Sequence, residues 1–144
     1  MPMPVEFAID ANVLLRFVLG DHAELSAKAV AAFAAAETGV VVLTCDPVNL
    51  AEAVWVLSSH YKASCGEIAE ALLPLVKMNG FHIPDKDRYV RALELYGQGA
   101  LGFGDACACA TAEATSEGRL VSFDRALSRM PGIERVETIS ADGR

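Results

Sequence analysis

Four carboxylates stand at positions that a packed domain does not fill with acids by default. Asp10, with Asn12, interrupts the apolar run "EFAIDANVLLRF" (6–17). Burying an unpaired charge is costly, so such an acid is normally paired, ligated or neutralised. Asp124 follows "RLVSF" in the same way, and Asp105 opens "GDACACATAE". Glu52 lies inside "LAEAVWVL", six residues past Asp46, with no Lys or Arg three or four positions to either side. Read singly, each Asp is a helix cap or a first-turn acid, and Glu52 is a side chain reaching for solvent. Read together they are an oxygen-only donor set. Converging carboxylates repel one another, and some would have to protonate unless a cation lies between them. Hard oxygen donors suit Mg²⁺ or Mn²⁺ rather than Zn²⁺. One or two such ions activate water and stabilise the leaving oxygen in phosphodiester cleavage.

The elements that must carry these residues follow from the pattern. "VEFAI" (5–9) predicts a strand, and "NVLLRFVLG" a helix ending at Gly20. An Ala-rich helix is expected over 24–37, stopped by Gly39, and a buried parallel strand over 40–43. Asp46 with Pro47 starts a helix, which the flanking Leu, Val and Trp residues predict to be buried nearly all round, Glu52 included. "SCGE" (64–67) is a capping box for a helix over 65–78. A short strand is expected over 81–83, and a helix capped by Asp85 and running to Tyr96. A further helix spans Gly104 to Glu117, closed by Gly118. A strand over 119–123, a short helix in "DRALSRM" and a last strand over 135–139 complete the chain.

Strands alternating with helices predict a three-layer α/β fold, with a central parallel sheet of four to five strands flanked by helices. Residues 1–144 are expected to form one domain, since no linker or repeat divides them. In such sheets the functional site lies at the carboxyl ends of the strands. Asp10 and Asp124 both sit there. Asn49 shares the face of Glu52 one turn earlier, which suits it to orient that acid or to contact substrate.

Composition narrows the function classes. Nineteen acids oppose twelve bases, for a net charge of −7. That disfavours a simple nucleic-acid binder, which is usually basic, but is compatible with an acidic site acting on a polyanion through bound cations. Residues 119–135 form a basic patch, with Arg119, Arg125, Arg129 and Arg135 against Asp124 and Glu134. The four cysteines contain no C-x-x-C pair and read as small buried thiols. His22, His60 and His82 lie on separate segments, outside every motif, as surface or boundary residues. "MPMPVE" has no cationic region, and no membrane-spanning run occurs, so a cytoplasmic location is expected.

Four fragments in order resemble the PIN-domain family, and within it the VapC toxins of bacterial toxin–antitoxin pairs. "IDANVLLRF" resembles the family's opening D-[TS]-N-x-L-[LV]-R, and "NLAEAVWVL" its central segment around a Glu. "GFGDACACATA" resembles its F-x-D-A helix start, and "LVSFDRAL" its closing [TS]-F-D-[RK]. The resemblance implies a Mg²⁺- or Mn²⁺-dependent endoribonuclease, a homodimer, and inhibition by a cognate antitoxin. Its catalytic and metal set carries over to Asp10, Glu52, Asp105 and Asp124. Asn12 and Ser122 match polar positions beside that set. Together with Asn49, Arg16 and Arg125 they are the expected RNA contacts. Ala11 departs from the pattern, standing where the family often has Thr or Ser.

Three alternatives stay open on the sequence. One is a housekeeping PIN-domain RNA-processing nuclease without an antitoxin. Another is a non-catalytic α/β module that binds metal or RNA, such as a receiver-like domain. The third is a phosphatase with a nucleophilic Asp after strand one. The last would need a second Asp where Asn12 stands, and neither a phosphatase nor a receiver finds its Lys here.

Overall fold

The computed structural model describes residues 3–144. Met1 and Pro2, the start of the "MPMPVE" stretch read above, lie outside the described residues. Helices flank a parallel sheet, as the alternating pattern predicts.

β1 (Val5–Ile9) leads into α1 (Ala11–Leu19). Asp10 is the hinge between them: its backbone is extended and its carboxylate accepts from the Val13 amide. Gly20 ends α1 in the left-handed region at φ 60°, returning its N–H to the Arg16 carbonyl. α2 (Ala23–Glu37) is capped by His22, whose ring nitrogen accepts from the Leu25 amide, a capping role its type does not announce. β2 (Val41–Cys45) pairs parallel with β1 in the register Val5 to Val41 through Ile9 to Cys45. α3 (Pro47–Ser59) begins under the Asp46 cap. α4 (Cys65–Lys77) begins under the expected Ser64/Glu67 capping box.

β3 (Phe81–His82) extends the sheet on the far side of β2. α5 (Lys86–Gly97) follows Asp85, but Asp85 makes no side-chain cap. Its backbone is left-handed at φ 56° and its carboxylate pairs with Arg88 instead. α6 (Phe103–Thr115) leads to β4 (Arg119–Val121), a 3-10 helix (Arg125–Arg129) and β5 (Glu134–Val136).

The expected sheet of four to five strands is smaller. β1, β2 and β3 form one parallel sheet in that order, and β4 and β5 form a separate parallel pair. Both late strands are shorter than expected: β4 stops at Val121, and β5 ends before "ETI". The reason is packing. Most of the core lies among the helices, where Leu14, Phe33, Leu50, Ile68, Leu72 and Leu93 are fully buried. β1 is exposed from Val5 to Ala8 and only half-buried at Ile9. No helix among the described residues is long and apolar enough to cross a membrane.

β4 is held to β5 at a close approach. Gly118 has φ +82°, and a Cβ there would run into the Gly132 carbonyl. Gly118→Ala is expected to lower stability by about 2 kcal/mol, combining left-handed strain with a backbone clash. A urea midpoint equal to wild type would contradict this packing.

Candidate active site

The parallel register sets the site's first half. Ile9 lies opposite Cys45, so Asp10 and Asp46 leave neighbouring strand ends together. The helices that follow are then joined by a side chain: Asn49 Oδ1 accepts from the Ala11 amide at 3.1 Å. That bond ties the first turn of α3 to the first turn of α1. The Asn49 carbonyl oxygen is thus engaged by the protein itself. An acid at Asp46 was legible in the sequence only as a cap, and it is one, accepting from Val48 at 2.8 Å. Its strand-exit position matches that of Asp10, which was the available signal.

Glu52 lies one turn beyond Asn49 and is exposed, not buried. The buried face of α3 is Leu50, Ala53, Val54 and Leu57. Val48, Ala51 and Trp55 lie on the opposite side in solvent, so apolar composition around Glu52 does not mean burial. Trp55 is 68% exposed.

Asp105 sits in the first turn of α6 and is half-buried. Two side-chain contacts join that helix to α5. Phe103 meets Tyr96 of α5 edge-on at 5.7 Å, and Arg91 of α5 grips both oxygens of Glu113 at 3.0 and 3.3 Å. Asp124 is exposed and caps the 3-10 helix, accepting from Ala126 at 2.9 Å. Ser122 Oγ accepts from the Asp124 amide at 3.1 Å, so it shapes the loop that presents Asp124. Arg16 pairs with Asp21 at 2.8 Å. Asn12 and Arg125 are exposed, next to Ala11 and Asp124 respectively.

These donors fit a hard divalent cation in kind, because all four are carboxylates. Asp10 and Asp124 each use one oxygen as a cap and keep the other. They are not gathered. Among the described residues no three His, Cys, Asp or Glu side chains form a group that could hold a metal ion. Asp124 follows β4, which pairs with β5 and not with β1.

A groove of about 870 Å³ runs between α3, α5 and α6. Val48, Trp55, Tyr89, Tyr96, Phe103 and Cys107 line it, and none of the four acids does. All four cysteines are free. Burial, with a smaller push from Asp46, raises the Cys45 thiol to about 11. Burial alone raises Cys107 to about 11. Both are therefore neutral thiols near pH 7, unsuited to nucleophilic or ligand chemistry.

The chain is a layered α/β domain with acids at strand exits and helix starts. The profile described as "PIN domain" matches residues 7–133, and the chain belongs to the PIN domain family. PIN domains are generally nucleases that cleave RNA or DNA with divalent metal ions. Comparison with curated proteins and with solved structures gives no match.

Two outcomes follow from this geometry. Asn49→Ala removes the acceptor for the Ala11 amide and is expected to cost about 1 kcal/mol, whereas Asn49→Asp retains an acceptor oxygen. Urea unfolding of the two variants separates these effects. The raised thiols make a pH statement. A folded pKa above the unfolded value stabilises below the unfolded value and is lost as pH climbs through the folded one. Stability should therefore fall between pH 9, the ordinary thiol value, and about 11. A combined Cys45→Ala/Cys107→Ala variant should show a shallower fall in its urea midpoint over that window.

Proposed function

We propose that this chain is a Mg²⁺- or Mn²⁺-dependent endoribonuclease, the toxin of a VapC-type toxin–antitoxin pair acting in the cytoplasm. The observation that carries the reading is an acid at the exit of β1 in a PIN domain, with its helix tied through Asn49 to the helix that bears Glu52.

Asp10, Glu52, Asp105 and Asp124 are the residues that would hold the ion. When bound, such an ion supplies an activated water and charge stabilisation for phosphodiester cleavage. The chain's own residues do the rest. Asn49 keeps α3 registered against α1, so Asp10 and Glu52 hold a constant relation. Ser122 fixes the turn that presents Asp124. Arg125, exposed beside Asp124, offers a guanidinium to an RNA phosphate, and Asn12 offers a carboxamide at the start of α1. Arg16 has its charge engaged by Asp21, so a phosphate contact from it would compete with that pair. The exposed Val48 and Trp55 face supports a homodimer or an antitoxin contact through α3.

The test uses purified wild type and Asp10→Asn with end-labelled single-stranded RNA, in Mn²⁺, in Mg²⁺ and in EDTA. Wild type should cut internally with either ion and stop in EDTA. Asp10→Asn should lose about 100-fold or more in rate, the scale of one lost preorganised electrostatic partner, with an unchanged circular dichroism spectrum. Equal rates would refute the assignment. Induced expression should arrest bacterial growth for wild type and not for Asp10→Asn; growth under both would remove the toxin role.

A further inference from the structure

The groove between α3, α5 and α6 carries no charge of its own. No Asp, Glu, Lys or Arg side chain lines it, although such residues make up 22% of the chain. Four aromatic rings do: Trp55 from α3, Tyr89 and Tyr96 from α5, and Phe103 from α6. Its volume of about 870 Å³ falls within the ~300–1,000 Å³ of small-ligand sites. Trp55 stands in solvent, while Tyr89 and Phe103 are half-buried. Rings held along an uncharged cavity are platforms on which flat ligands stack.

Part of the wall is bare backbone. The chain from α5 into α6 reads "GQGALGFG" (97–104), and a Cβ on Gly99, Gly102 or Gly104 would meet nothing within 4 Å. The main chain is therefore open to close approach there. Gly102 starts α6 without a side-chain cap, and the amides of Phe103, Gly104 and Asp105 find no acceptor among the described residues. These amides decide what can cover the groove. An apolar helix face laid over them would bury donors without acceptors, which is costly. A nucleobase brings ring-nitrogen and carbonyl acceptors on its edge and a π-face for the rings. The rings and the volume supply the binding, and the amides orient what is bound. The walls end beside two acids: Ala51 and Gly104 line the groove, and Glu52 and Asp105 are next in sequence.

We propose that this groove is a subsite for one unpaired nucleobase of an RNA strand, stacked among Trp55, Tyr89 and Phe103 with its edge on the α6 amides. A strand with a phosphate at Glu52 or Asp105 lays a neighbouring base in the groove. The subsite selects single-stranded RNA, because a base must leave its duplex stack to enter it. A purine, with the larger π-face, fills it better than a pyrimidine. The role in cleavage rests on the nuclease reading of Glu52 and Asp105; the binding of a base does not. Trp55 also belongs to the α3 face assigned above to a homodimer or an antitoxin, so a base and such a partner exclude each other at this residue.

Trp55 is the chain's one tryptophan, so its fluorescence reports on the groove. Full-length wild type and Asp10→Asn are titrated with oligoadenylate in Mg²⁺, the variant serving to remove cleavage as a cause of the signal. Both should show saturable quenching of Trp55. A strand with the same phosphates but no bases should not quench. Tyr89→Leu should weaken binding about tenfold, the scale of one lost stacking partner. Gly104→Leu should weaken it by a similar factor, by filling the end of the groove. That variant keeps the fold, because its Cβ has open space and Leu is the better helix former. No quenching, equal quenching by the base-free strand, or wild-type affinity in the folded variants would overturn the subsite. A Trp55 signal that follows protein concentration and ignores RNA would give the groove to a second copy and overturn it as well. Equal affinity for 5′-adenylate would overturn the strand as the source of the base. Internal cutting of end-labelled RNA scores the nuclease reading separately. Quenching without cutting removes the nuclease and keeps the subsite; cutting without quenching does the reverse.

Discussion

Parallel pairing of Val5–Ile9 with Val41–Cys45 is the constraint on which the candidate site depends. The ladder makes both strands end at the same level. Each then passes directly to a helix through an Asp, and α1 and α3 must start side by side. Once they do, Asn49 can reach the Ala11 amide. A buried or half-buried amide without an acceptor is costly, so the bond defends the arrangement as well as reporting it. Shifting the register by one residue would break the bond and move the acids at the two exits apart.

The second half of the site is built differently. Asp105 is placed by helix packing, through the Tyr96–Phe103 contact and the Arg91–Glu113 pair. Asp124 is placed by a tight turn, through Ser122 and its own cap on Ala126. Neither depends on the β1–β2 ladder. Among the described residues these supports do not bring three acids into a group that could hold a metal ion.

Much of this was legible in advance because it is local. The Asp46–Pro47 start, the Ser64/Glu67 capping box and Gly20 as a helix stop each depend on a few adjacent residues, and each is found as expected. Legibility failed where the answer lay in what faces an element. α3 reads as apolar all round, yet Ala51, Glu52 and Trp55 are exposed because only one side of the helix meets the core. Asp85 reads as a cap, yet a left-handed backbone turns it toward Arg88. His22 caps a helix although its type is rarely chosen for that task.

The sequence alone determined the order of elements, the helix starts, and the acids at strand exits and helix starts, because propensity, capping and periodicity act over a few residues. It also carried the PIN-domain resemblance, which the family match over residues 7–133 bears out. Only the tertiary structure decided that the sheet has three strands with β4 and β5 apart, that Asn49 bridges two helices, that Glu52 is exposed, and that the acids are not gathered. Those outcomes depend on which surfaces meet across long stretches of chain. Burial is settled by the partner a face finds, and no local pattern contains the partner.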